Sequence, residues 1–98
     1  RPPPRFGVYA VRADVLGGPH AGSYDAVASL GVRPMFGENL PNLETHLFDF
    51  KGDLYGTHVS VALVEFLRPE DKFDSLDALL AQMDADSARA RAILARSA

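Results

Sequence analysis

Thr57-His58-Val59-Ser60-Val61-Ala62-Leu63-Val64-Glu65-Phe66 carries the longest β-signal of the chain, with Val59, Val61 and Leu63 alternating against Ser60 and Ala62. The pattern switches after Arg68-Pro69. Leu76, Leu79, Leu80, Met83, Ala90 and Leu94 then recur at helical spacing along one face. Asp74 or Ser75 can cap the start, and Asp77 adds negative charge to the first turn. Arg89, Arg91 and Arg96 suit the C-terminal end. The spacing predicts a C-terminal helix over 74–96, either continuous or broken near Asp86-Ser87.

Upstream of this switch the chain reads as strands. Arg1-Pro2-Pro3-Pro4-Arg5 favours an extended polyproline segment, a connection over residues 1–5. Phe6 to Leu16 alternates, with Tyr9, Val11, Ala13 and Val15 on one face and Arg12 and Asp14 on the other. Gly17-Gly18-Pro19 breaks it, and His20 to Asp25 reads as a turn. Ala26 to Val32 is a second strand that Arg33-Pro34 is expected to end. Phe36 to Asn42, with Gly37, Asn39 and Pro41, reads as an exposed loop. Leu43 to Phe50 is a third strand, and Leu54-Tyr55-Gly56 a brief resumption after a turn at Lys51-Gly52-Asp53.

Several short strands followed by one helix, with no βαβ alternation, predict a mainly β fold. The expected architecture is a small, closed or nearly closed antiparallel β-barrel with the amphipathic helix packed against it. A six-stranded barrel would fit about 20–30 further residues on the N-terminal side more comfortably, so an incomplete barrel is expected.

Composition narrows the function. Ninety-eight residues make one domain, residues 1–98. A net charge of −3 gives no electrostatic reason to expect nucleic acid. No run of 18 apolar residues suggests a membrane span. The lack of cysteine excludes a disulfide framework and thiolate chemistry, and fits a cytoplasmic protein. The histidines His20, His46 and His58 match no metal-ligand spacing, so no protein metal site is expected and edge or surface positions explain them. The common phosphate-cradling glycine motifs are absent from the chain.

Glu44 is the carboxylate that needs an explanation. It sits in the third strand, with His46 and Phe48 on its face. Burying it unpartnered would be costly, so it either faces water or works in a site. Arg68 at the strand–helix junction could hold a phosphate or a polar ring edge; equally it could pair with Glu70 or Asp71. Phe73 could staple the helix start or wall an aromatic-ligand pocket.

Five blocks together resemble the riboflavin kinase family. They are Phe6-Gly7-Val8-Tyr9-Ala10-Val11, Ala26 through Phe36, Leu43-Glu44-Thr45-His46-Leu47, Asp53-Leu54-Tyr55-Gly56, and Phe66 through Leu79. The most specific are the Glu-Thr-His strand and the Leu-Arg-Pro-Glu-x-x-Phe-x-Ser-Leu junction. More narrowly, the blocks resemble the C-terminal kinase module of bacterial bifunctional FAD synthetase. The resemblance implies a six-stranded Greek-key barrel with a C-terminal helix. It implies transfer of the γ-phosphate of ATP to the riboflavin 5′-hydroxyl, giving FMN, with Mg²⁺ accompanying ATP. By that similarity Glu44 matches the catalytic base. Arg68, Phe73 and Ser75 match the flavin-binding region, and Leu47, Asp49 and Tyr55 fall where the family contacts the nucleotide. The family's glycine-rich ATP loop and Pro-Thr-Ala-Asn motif precede the Gly-Val-Tyr strand and do not occur in this chain. The chain is therefore expected to be the C-terminal portion of a kinase module, impaired in phosphate transfer by itself. An upstream adenylyltransferase module is the expected neighbour. The alternative is a flavin- or nucleotide-binding barrel without catalysis.

Overall fold

β1 (Gly7–Val15) is the strand around which the others assemble. It pairs antiparallel with β2 (Gly22–Met35) on one side and with β4 (Val59–Arg68) on the other. β3 (Glu38–Leu47) pairs with the far edge of β2. The sheet order is β3-β2-β1-β4, in which three hairpin-linked strands are joined by a fourth that returns beside the first. That is the Greek-key arrangement. The sheet is open, with β3 and β4 as its edges among the described residues. A single helix, α1 (Leu76–Arg96), follows. The structure is a computed structural model describing residues 3–96. Arg1 and Pro2 of the expected proline connection lie outside the described residues.

Several expected boundaries move. β2 begins at Gly22 and ends at Met35, so residues 22–25, expected as turn, are strand. Between β2 and β3 only Phe36 and Gly37 form the turn, both with positive φ (52° and 78°). Such a two-residue connection matches the right-handed twist of a hairpin. β3 starts inside the expected loop, and its end at Leu47 leaves Phe48 and Asp49 in a turn. Leu54-Tyr55-Gly56 belongs to the connection 48–58 and is not strand.

Pro34 and Pro41 lie within strands, against expectation, for a physical reason. β1 reaches only as far as Leu30 of β2, so residues 31–35 pair with β3 alone. This two-stranded arm has free edges, where a missing N–H costs no ladder bond.

Both faces of β1 are buried. Val8 and Ala10 face the helix and cluster with Phe48, Leu67, Ala90, Ile93 and Leu94. Tyr9 and Val11 face the other way, with Ala26 and Ala28, and with Leu30, Leu47, Val61 and Phe66 packed against them. The Tyr9 and Phe66 rings meet edge to face at 5.2 Å. Arg12 extends from the helix-facing side of β1 and donates to the Leu94 carbonyl (2.9 Å). It thereby satisfies an orphan acceptor in the last turn of α1, where a cation is favoured.

α1 is continuous through Asp86-Ser87. Ser75 caps it, its Oγ accepting from the Ala78 N–H at 3.0 Å. The predicted apolar stripe is buried only in its second half. Ala90, Ile93 and Leu94 are buried, whereas Leu76, Leu80 and Met83 are 67%, 48% and 50% exposed.

A cleft between the sheet and the start of the helix

The unburied half of the stripe borders a cleft of about 970 Å³. One wall is the helix-facing side of the sheet. Register pairs Ser29 with Glu44 and Val27 with His46, and all four side chains line the cleft. The opposite wall comes from the 69–75 connection and the first turns of α1, with Phe73, Leu76, Leu79 and Met83 supplying apolar surface. The volume suits a small-molecule ligand.

Glu44 is solvent-exposed on the strand wall. Among the described residues it has no hydrogen-bond or ion-pair partner. A carboxylate in that state keeps all its acceptor sites for a ligand.

Arg68 is not held by the adjacent acids. Its partner is Asp86, nearly three turns into the helix, not Glu70 or Asp71. The Arg68 Nε donates to both Asp86 oxygens (3.0 and 3.1 Å) and Nη2 donates to Oδ2 (2.8 Å). Gln82 donates to the same carboxylate at 2.9 Å, and Arg68 Nη1 donates to the Pro69 carbonyl at 3.1 Å. The Arg68 guanidinium lies 5.7 Å from the centre of the Phe73 ring. The bond to Asp86 holds the Arg68 pKa above its ordinary value, with burial opposing it. Arg68 stays charged at any working pH.

Asp86 was not singled out from the sequence. The signal was present: a carboxylate falls between Met83 and Ala90 on an otherwise apolar helical stripe. A charge on a buried face needs a buried partner, and Arg68 is that partner.

Of the expected site residues, Glu44, Arg68, Phe73 and Ser75 come together around the cleft. Ser75 also serves as the helix cap. Leu47, Asp49 and Tyr55 do not line it. Leu47 packs on the opposite face of the sheet. Tyr55 is 96% exposed in the 48–58 connection. Asp49, at φ 56°, pairs with Arg91 on the helix at 3.0 Å. The Arg91 guanidinium holds the Asp49 carboxyl below the ordinary carboxylate range, mainly through this hydrogen bond.

No group of three or more His, Cys, Asp or Glu side chains among the described residues could hold a metal ion. No helix among them is long and apolar enough to cross a membrane.

Comparison with known proteins gives the family. The family described as flavokinase, riboflavin kinase, matches residues 1–94. A bifunctional riboflavin kinase/FMN adenylyltransferase of Pseudomonas fluorescens is 45% identical over 96 residues, covering 97% of this chain and 30% of that protein. The Listeria monocytogenes protein of the same name is 34% identical, over 95% of this chain and 29% of its own length. The RNA-binding riboflavin kinase RibR of Bacillus subtilis is 41% identical, over 84% of this chain and 34% of its own length. The chain thus spans about a third or less of these relatives. A crystal structure described as a macrolide-efflux protein from Streptococcus pneumoniae superposes with a TM-score of 0.78 at 35% identity, covering 90% of this chain and 28% of that one. The family match over nearly the whole chain places it in the riboflavin kinase family.

Proposed function

We propose that this chain forms the flavin-binding and proton-accepting part of a riboflavin kinase that works in the cytoplasm. The observation that carries the proposal is the unpartnered Glu44 carboxylate on one wall of a cleft whose opposite wall carries Phe73, Leu76, Leu79 and Met83. The apolar side receives the flat flavin ring, stacked near Phe73, while the side of the strand that carries Glu44 and His46, two residues apart, meets the ribityl chain. Glu44 accepts the proton of the 5′-hydroxyl as that oxygen bonds to the γ-phosphorus of ATP and the bond to the β–γ bridging oxygen breaks. Riboflavin and ATP become FMN and ADP. Such transfers draw mostly on positioning and charge neutralisation. Arg68, fixed by Asp86, presents remaining N–H groups to a ring edge.

Leu47, Asp49 and Tyr55 would meet the nucleotide from the side of the 48–58 connection. The described residues offer no all-protein metal cage, so Mg²⁺ enters this proposal as the ion carried by ATP. The names of the relatives support an adenylyltransferase module in the same polypeptide.

Glu44→Gln tests the proposal. In the full-length enzyme the variant should quench riboflavin fluorescence as the parent does while ADP release falls at least about a hundredfold, the lower end of what general-base catalysis contributes. Undiminished turnover would remove Glu44 from the mechanism. Flavin binding by a parent that never turns over, even with the full family machinery present, would leave a non-catalytic binding module.

A further inference from the structure

The charge of the cleft is lopsided. Among the described residues, six carboxylates line it, from Glu44, Glu70, Asp71, Asp74, Asp84 and Asp86, and Arg68 is its only guanidinium. That guanidinium is already neutralised. The Asp86 side chain is 8% exposed and the Arg68 side chain 21%, and they meet at 2.8 Å. Three of the five Arg68 N–H groups are used by Asp86 and the Pro69 carbonyl. Arg68 therefore offers hydrogen-bond donors and a flat face, without a free positive charge.

We propose that Asp86 is a positioning and specificity-determining residue: by pairing with Arg68 it leaves the cleft net acidic, so that the cleft favours the uncharged flavin over its phosphorylated form. The proposal rests on reading the cleft as the flavin site. It assigns Arg68 to the ring edge and not to the phosphate. FMN carries close to two negative charges at neutral pH, as phosphomonoesters do. The exposed carboxylates repel that dianion once its phosphate is formed and the ATP-borne cation has left. The acceptor is taken in neutral, and the product is expelled by the same wall.

Fluorescence titrations of the purified chain with riboflavin and with FMN, free of nucleotide and Mg²⁺, test this at low and high ionic strength. Riboflavin should bind on the order of tenfold more tightly than FMN at about 20 mM salt, because a dianion several ångströms from uncompensated charge feels that much repulsion in a wet cleft. The gap should close at about 500 mM salt. Asp86→Asn keeps the shape and one acceptor oxygen but frees the Arg68 charge, and should cut the riboflavin-to-FMN preference about fivefold. Asp86→Glu should restore it. Arg68→Gln with Asp86→Asn leaves the net charge unchanged and should keep the parental preference, which a purely structural role for Asp86 would not predict.

FMN binding as tightly as riboflavin at low salt overturns the proposal. So does an unchanged preference in Asp86→Asn, or a double variant that behaves like the single one. If Asp86→Asn fails to fold, the salt dependence of the parental preference decides. If riboflavin itself is not bound, the reading of the cleft as a flavin site fails first, and this inference falls with it.

Discussion

Replacing Asp86 by Ala should destabilise the chain by about 2–3 kcal/mol. Removing one member of a buried ion pair typically costs about 3–5 kcal/mol, because the other charge is left without a partner. Here the cost is discounted, since Arg68 borders the open cleft and its side chain retains 21% exposure, so water can reach part of the guanidinium. Lost with the carboxylate are three Arg68 hydrogen bonds and the one from Gln82. For a domain of 98 residues, total stability is about 5–15 kcal/mol, so the variant should still fold. Its Tm should fall by roughly 10–20 °C. Urea titration with an unchanged m-value would report the loss directly. Arg68→Met combined with Asp86→Leu should recover most of it, because no buried charge is then stranded. A cost below about 1 kcal/mol in Asp86→Ala, or a double variant as unstable as the single, would refute the view that a desolvated ion pair joins the last strand to the helix.

Three further outcomes follow from local geometry. Gly7→Ala should cost about 2–4 kcal/mol by urea titration, since Gly7 has φ 151° and a Cβ there would collide with the Arg68 carbonyl and the Phe66 ring beside the β1–β4 bulge. Phe36→Asn should stabilise by about 0.5–1 kcal/mol, because Phe36 is 95% exposed at φ 52° and Asn tolerates that left-handed conformation better. Asp49→Asn preserves the turn at φ 56° and removes only the charge facing Arg91. Because the folded-state pKa of Asp49 is lowered, the pair's contribution is full above the ordinary value of 3.8 and disappears as pH falls through the folded value. The Tm difference between parent and variant should therefore be small at pH 7, shrink further in salt, and vanish at strongly acid pH.

The four main strands and the helix were legible because their periodicities are strong, as in Val59-Ser60-Val61 and in Ala90 with Leu94. The ends of β2 and β3 were not, because prolines and glycines were read as loop while the chain places them on a free two-stranded arm. Half of the candidate site was legible through residue types that stand out, a strand carboxylate and a junction arginine. The Arg68–Asp86 pair was hidden by 18 positions of sequence separation. Nothing local in Arg68-Pro69-Glu70-Asp71 favours a remote carboxylate over the adjacent ones. The choice is made in three dimensions, where Asp86 is desolvated and the neighbouring acids are exposed.

That pair also accounts for why a cleft exists at all. From Ala90 onward α1 lies against Val8, Ala10 and Leu67 with only apolar side chains between. At Asp86 a polar cluster of Arg68, Asp86 and Gln82 replaces apolar packing between strand and helix. Beyond it, toward the N-terminus, Leu76 and Met83 remain half or more exposed although their spacing continues the buried stripe. An apolar face held open at a cost in unburied surface is explained when a flat apolar ligand completes it. The carboxylate that joins strand to helix beside the cleft also cancels the one guanidinium that lines it among the described residues, so on the proposed reading the geometry for a flavin ring and the charge against its phosphate share an origin in Asp86.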